Sequence, residues 1–358
     1  MLLKFKSKYK LNIIMYLIAE IGVNFFDISK KYKISPLDAC KLMIIEAKNS
    51  GCHCVKFQSY KAETLASKNS PAYWDLNKEK TTNQYDLFKK LDSFNEDEFA
   101  FLSNFCNENG IDFISTPFDL NSVNYLDKYQ KIYKISSSDI TNYPLLKLVG
   151  TKKKKVLLST GASNIEEIKK AVEILENNGC PDVIIMHCVL NYPTNNIDAN
   201  IGMLNDIKNN FPNYKLGYSD HTQPDNKMLI LTTAYIKGAD YIEKHFTLDK
   251  SIPGNDHYHS ADPQDFKIFS DNIKLLNDIM GKDIKECLQN EEKSRLNARR
   301  SIVSEKNIKK GEILTEENII CKRPGTGISA INYYDILGKK LIVDVDKDTI
   351  LQLSMIES

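Results

Sequence analysis

The sequence predicts an α/β chain, a closed (β/α)8 barrel of the TIM type followed by a small, mostly β domain, on three observations. Eight short runs rich in Val, Ile, Phe and Tyr alternate with helix-length amphipathic segments, which is the rhythm of repeated βα units around a parallel sheet. Almost every run ends in a polar residue, and a barrel of this kind carries its active site at the carboxyl ends of its strands. After about residue 297 the rhythm stops and short β-like pieces take over.

The opening MLLKFKSKYKLNIIMY looks like a signal peptide only superficially. Its apolar run reaches Glu20 within a few residues, has no small-residue cleavage site, and falls short of the ~20 apolar residues that span a bilayer. Residues 1–14 read as an extension, with Met15 as an alternative start, and LIAEIG (17–22) as the first strand. Ser35 and Pro36 open the helix PLDACKLMIIEAKN and Gly51 stops it. Cys52-His53-Cys54 lacks the paired C-x-x-C spacing of structural zinc and reads as packed strand leading into CVKFQS (54–59). A long insert over 60–95, with the single tryptophan Trp74, is expected to shape access to the site.

DFISTP (112–117), KIYKIS (131–136) and KVLLST (155–160) come next, and the basic run Lys152 to Lys155 reads as a solvated turn. Ser163, with Glu166 three residues on, suggests a capping box before IEEIKKAVEILENNG. VIIMHC (183–188), YKLGYS (214–219) and DYIEKHF (240–246) complete the set. A helix over 264–280 ends a barrel domain of 15–285, a polar linker covers 286–297, and 298–358 forms the small domain.

With 358 residues and 42% hydrophobic content the chain can bury a large core. Lys+Arg 48 against Asp+Glu 47 leaves a net charge of +1, so no global field recruits nucleic acid or an anionic membrane. A small-molecule partner is expected. The eight cysteines are scattered through a long chain, which fits a reducing cytoplasm.

The strand ends carry Glu20 and Asn24, Lys56 and Gln58, Thr116, Lys134 and Ser136, Ser159, Tyr192, Ser219 and His221, then Glu243 and His245. Residues two apart on a strand share a face, so Lys56 with Gln58 and Lys134 with Ser136 both point to the barrel axis. Two ammonium groups with the hydroxyls of Thr116, Ser136, Ser159 and Ser219 suit carboxylate or phosphate oxygens. A lysine in a barrel core without an anion is costly, which argues for an anionic ligand. His221 and His245 end adjacent strands and can share one divalent cation such as Mn2+, Zn2+ or Fe2+. In GNDHYHSAD, Asp256 is a substrate contact, whereas His257 and His259 are expected to stay outside the metal shell.

These residues lie in IAEIGVN, VKFQ, FISTPFD, YKISSSDITNYPLL, LLSTGAS, HCVLNYPT, GYSDHT and EKHFTLDKSIPGNDH, and together they resemble the sialic acid (nonulosonic acid) synthase family. The resemblance runs from about residue 17 to the C-terminus. It implies condensation of phosphoenolpyruvate with N-acetylmannosamine or a related 2-acetamido aldose, giving N-acetylneuraminate and phosphate. It makes His221 and His245 the metal pair, for Mn2+ with Mg2+ or Co2+ as alternatives. Lys56, Thr116, Lys134, Ser136, Ser159 and Ser219 become the phosphoenolpyruvate cradle, and Glu20 the carboxylate beside it and the attacking water. Gln58, Tyr192 and Asp256 fall on the sugar side. The 298–358 segment is similar to the antifreeze-like SAF domain, which implies a domain-swapped homodimer with Arg323 reaching a partner's sugar site.

Two positions depart from the family pattern: Phe25, where a histidine is common, and Asp139, where a glutamate is common. Both are expected to alter the sugar pocket, which keeps open a diacetamido-trideoxy hexose leading to a legionaminic- or pseudaminic-type acid. Two other readings stand beside these: a Schiff-base aldolase using Lys56, Lys134 or Lys244, and a non-catalytic carbohydrate- or ice-binding protein.

Overall fold

Alternate residues of the same strands fall into two separate apolar clusters, and this alternation builds the barrel. Leu17, Val55, Phe113, Tyr133, Val156, Ile185, Leu216 and Ile242 face outward into the layer beneath the helices. Ile18, Cys54, Ile114, Leu157, Ile184, Met186 and Tyr241 form a second cluster inside the sheet. The computed structural model describes residues 15–74, 76–77, 79–254, 256–282 and 284–357. The 1–14 extension lies outside the described residues.

The strands are β1 (Tyr16–Gly22), β2 (Cys54–Ser59), β3 (Asp112–Pro117), β4 (Ile132–Ile135), β5 (Lys155–Ser159), β6 (Val183–Cys188), β7 (Lys215–Asp220) and β8 (Ala239–His245). All hydrogen-bonded pairs among them are parallel, in the order β3-β2-β1-β8-β7-β6-β5-β4. The two ends of that order, β3 and β4, also lie side by side, so the sheet curls into the expected (β/α)8 barrel. The register is tight at Gly217, where a Cβ would sit 2.8 Å from both Met186 Cγ and the Tyr241 carbonyl. A side chain there would push β7 off its neighbours.

Helix starts follow local chemistry. The Ser35 side chain accepts from the Asp38 amide and Pro36 occupies the first turn of Pro36–Asn49; Gly51, at φ +92°, lets the chain turn back into β2. The next cap corrects the sequence reading. Asn164, not Ser163, caps Ile165–Asn177, with Glu167 closing the box, while the Ser163 hydroxyl bonds the Gly161 carbonyl. Asn offers the N-cap as good an acceptor as Ser, and one residue further along the loop it meets the free amides. Asn164→Ala is therefore expected to cost about 1 kcal/mol and Ser163→Ala a few tenths, read as urea midpoint shifts; equal effects would reverse the assignment.

The chain divides into two units after Gly281. The first ends with the helix Pro263–Met280. The expected polar linker is partly helical, with Glu292–Ala298 forming two turns from residues of good helix propensity. In the second unit, β9 (Ser301–Ser304) pairs antiparallel with β10 (Ile319–Lys322). Single bridges such as Val303 to Ile350 and Ile308 to Val345 extend the pairing. Ile302, Ile308, Leu314, Ile319, Leu341 and Leu351 make a core of its own. Among the described residues no helix is long and apolar enough to cross a membrane, and all eight cysteines are free.

Candidate active site

Two residues beyond the inner apolar layer, the same faces of the strands turn polar. Ile18 gives way to Glu20, Cys54 to Lys56, Ile114 to Thr116, Ile132 to Lys134, Leu157 to Ser159, Gly217 to Ser219 and Tyr241 to Glu243. All these polar side chains are buried. Period-two alternation delivers each of them to the carboxyl rim.

The lysines that sequence analysis paired with an external anion meet carboxylates of the chain instead. Lys56 Nζ lies 2.7 Å from Glu20 Oε2 and 3.7 Å from Glu243 Oε1, and Lys134 Nζ lies 3.3 Å from Glu243 Oε1. Gln58 donates to the second Glu20 oxygen at 2.9 Å, Lys56 to Thr116 at 3.2 Å, and Ser219 to Glu243 at 3.0 Å. This corrects the expectation that the ammonium groups need a ligand for compensation. Sequence alone shows Glu243 at a strand end without assigning it a partner, although its two-residue spacing from His245 puts both on the inner face.

Burial tends to raise Glu243, but Lys134 and Lys56 outweigh it and bring its carboxyl down to about 2. Glu20 goes the other way, its burial exceeding the opposing pull of Lys56. Lys134 is held below the usual ammonium range by burial that Glu243 only partly offsets, whereas Glu20 and Glu243 overcome burial at Lys56 and raise it. Ser159 Oγ is buried without a hydrogen-bond partner among the described residues. Ser136 bonds Ser138 at 3.0 Å.

Beside this quartet lie the imidazoles. The His221 and His245 rings are 5.4 Å apart, and the Tyr192 ring lies 4.1 Å from His221, tilted by 39°. His221 Nδ1 bonds the Val189 carbonyl at 2.8 Å, which orients the ring. His245 Nδ1 faces Asp256 Oδ2 at 3.5 Å. Burial pushes His245 down, yet Asp256 reverses this and raises it; burial likewise would raise Asp256, and His245 holds it well below the usual range. That corner favours positive charge, borne by the ring or by a cation.

His257 and His259, grouped together by sequence, are separated by the fold. His257 turns away, its Nδ1 at 2.7 Å from Thr247 Oγ1 and its Nε2 at 3.6 Å from Asp27. His259 turns in, 5.0 Å from the His245 ring, with Nε2 at 3.7 Å from Asp256 Oδ1. The 3-10 turn His257–His259 is pinned where Asn24 Nδ2 donates to the Phe246 carbonyl and to Ser260 Oγ. His245, Asp256 and His259 have ligand atoms all within 4.8 Å of one another. Among the described residues the buried ring nitrogens His245 Nδ1 and His259 Nδ1 and Nε2 have no hydrogen-bond partner. Nitrogen and carboxylate donors left open in this way fit a borderline divalent cation.

Three residues sit differently from the sequence reading: Phe25, Asp139 and Lys244. Phe25 does not line the pocket: it is buried with its ring against Phe26, Phe57 and Phe94, in the layer outside the barrel. Asp139 is turned to its own loop, accepting from Asn142 at 3.0 Å, and burial raises its carboxyl. Lys244 points outward and is locked to Asp220 at 2.5 Å and to the Thr222 carbonyl, which removes it as a Schiff-base candidate. The Cys52-His53-Cys54 step holds no metal cluster among the described residues; His53 accepts from the Leu17 amide. The 60–95 insert does reach the site, since Tyr73 lies 6.4 Å from Tyr192. Arg323 is exposed in the second unit.

Comparison with known proteins decides the family. The model for the NeuB family matches residues 43–285, well over half of the chain. The chain belongs to the NeuB family. A SAF domain model matches residues 299–357, so this NeuB chain is an enzyme of the nonulosonic acid synthase type with a C-terminal SAF domain. It is 38% identical to the N,N'-diacetyllegionaminic acid synthase of Campylobacter jejuni, over 94% of this chain and 98% of that protein. It is 30% identical to the N-acetylneuraminate-9-phosphate synthase of Drosophila melanogaster, over 93% and 94% of the two chains. Among solved structures, the N-acetylneuraminic acid synthetase of Leptospira borgpetersenii superposes with a TM-score of 0.66 at 31% identity, covering 78% of this chain and 90% of that one.

Proposed function

We propose that this NeuB chain condenses phosphoenolpyruvate with N-acetylmannosamine, or a closely related 2-acetamido aldose, to N-acetylneuraminate and phosphate. The observation that carries this reading is the junction of two buried lysines and a row of hydroxyls with the His221 and His245 rings, 5.4 Å apart, at one rim of the barrel. Lys56 and Lys134, with Thr116, Ser136, Ser159 and Ser219, hold the carboxylate and phosphate of the enol phosphate. A divalent cation on His221 and His245, Mn2+ first, would supply Lewis-acid polarisation of the open-chain aldehyde. The methylene carbon of phosphoenolpyruvate bonds to the aldehyde carbon as the C=O π bond breaks and the aldehyde oxygen takes a proton from water to become a hydroxyl, and water adds to the carbon that bears the phosphate. Glu20 accepts the proton of that water, and the C–O bond to phosphate breaks.

Gln58, Tyr192 and Asp256 orient the sugar, and Asp139 shapes its loop. Holding two reactants in register is itself a large part of the acceleration. Arg323 of the SAF domain is assigned to the sugar side of a partner subunit's site in a swapped homodimer. A second reading, a diacetamido-trideoxy hexose leading to a legionaminic- or pseudaminic-type acid, draws on the 38% identity to the Campylobacter jejuni relative, beside 30% for the fly protein.

The test is a panel of both aldose classes incubated with phosphoenolpyruvate and Mn2+, with each product identified by mass. Chelator-sensitive phosphate release with one aldose is expected. Borohydride trapping of pyruvate on Lys134 without phosphate release would replace the synthase by an aldolase.

A further inference from the structure

We propose that His259 and Asp256 join His221 and His245 as protein ligands of the divalent cation, making a site of three imidazoles and one carboxylate. The inference rests on the reading that a cation sits at this rim; it moves Asp256 from the sugar to the cation, and it changes how that cation is held and which cations are accepted.

Three observations carry it. His259 is fully buried, yet neither of its ring nitrogens has a hydrogen-bond partner among the described residues. A polar group stripped of water and left unpaired costs free energy, and such groups in native proteins call for an explanation. Second, the carboxylate beside it does not supply one: Asp256 Oδ1 stands 3.7 Å from His259 Nε2, and Oδ2 stands 3.5 Å from His245 Nδ1. Both distances exceed a normal N–H···O bond. One carboxylate lies between two imidazoles, close to each and bonded to neither, which is what a small ion shared among them would satisfy.

Third, the loop that carries Asp256 and His259 is held in place against β8. The Ala261 amide donates to the His245 carbonyl at 2.7 Å, Ser260 Oγ donates to the Asp256 carbonyl at 2.6 Å, and Asn24 ties Ser260 to the Phe246 carbonyl. His257, two residues away, has the opposite orientation and its own partner in Thr247, so the inward turn of His259 is specific to that residue.

The chemistry follows from the donors. Mg2+ prefers an octahedron of oxygens and keeps its waters, whereas imidazole-rich sites suit Mn2+, Co2+, Zn2+ or Fe2+. A third imidazole thus biases the site against Mg2+.

The experiment uses the full chain, stripped with a chelator and titrated with Mn2+ while free Mn2+ is read by electron paramagnetic resonance. His259→Ala and His259→Gln are expected to weaken Mn2+ binding about tenfold or more and to let Mg2+ compete better, with far-UV circular dichroism unchanged. Pulsed resonance on the wild-type Mn2+ complex, which needs no variant, is expected to show three imidazole nitrogens. Two nitrogens, or wild-type affinity in a folded His259 variant, overturns the enlarged ligand set and leaves the His221 and His245 pair standing. A wild-type protein that takes up no Mn2+ overturns both this inference and the metal-assisted reading beneath it.

Discussion

His245→Ala abolishes turnover while the barrel still folds: product formation falls about a thousandfold or more, since the Lewis-acid contribution is worth several kcal/mol and each 1.4 kcal/mol is a factor of ten. His245 is common to the two-histidine site and the enlarged one, its ring 5.4 Å from His221 and 5.0 Å from His259. It lies at the end of β8, where its backbone carbonyl accepts from Ala261, and that bond survives truncation. Steady-state phosphate release and a urea melt of the same preparation check this. Activity within tenfold of wild type in a folded variant would remove the metal from this rim.

The second large effect is on stability. Lys56→Met is expected to lower the unfolding free energy by about 3–5 kcal/mol, because removing one partner of a buried ion pair leaves the other charge uncompensated. Glu20 Oε2, 2.7 Å from the lost ammonium, and Glu243 are the groups stranded. The double variant Lys56→Met/Glu20→Gln, neutral at both places, is expected to recover most of that loss and still make no product.

The sign of the pH effect follows from Glu20, whose carboxyl burial already raises. Without Lys56 the folded state binds a proton that the unfolded chain has released, so the variant grows less stable as pH rises through that raised pKa. Its deficit is therefore smallest in mild acid. Urea midpoints across pH read this directly, and a Lys56→Met protein as stable as wild type at neutral pH would show that the quartet contributes nothing to the fold.

Much of the barrel was legible because alternation and turn chemistry are local. VKFQ and YKIS place each lysine two residues beyond an inward apolar residue, and that spacing needs no tertiary information to be read. The same rule identified GYSDHT and EKHF as adjacent strand ends. Ser163 was misread as a cap because two residues with equally good acceptor side chains stand in sequence, and only the loop's path chooses Asn164. Phe25 was misplaced because a helix can turn a residue next to the site into the layer outside it, where Phe57 and Phe94 receive its ring.

The amino-acid order by itself determined the barrel, the small domain after it, and the polar residues that reach the rim, since each depends on periods of two and on short-range turns. Only the tertiary structure decided which of those groups meet. Glu243 answering Lys56 and Lys134, Lys244 turned outward to Asp220, and His259 turned inward while His257 leaves are relations across strands and loops far apart in the chain. Charge pairing and burial act through space, so the distances that set them exist only once the sheet has closed.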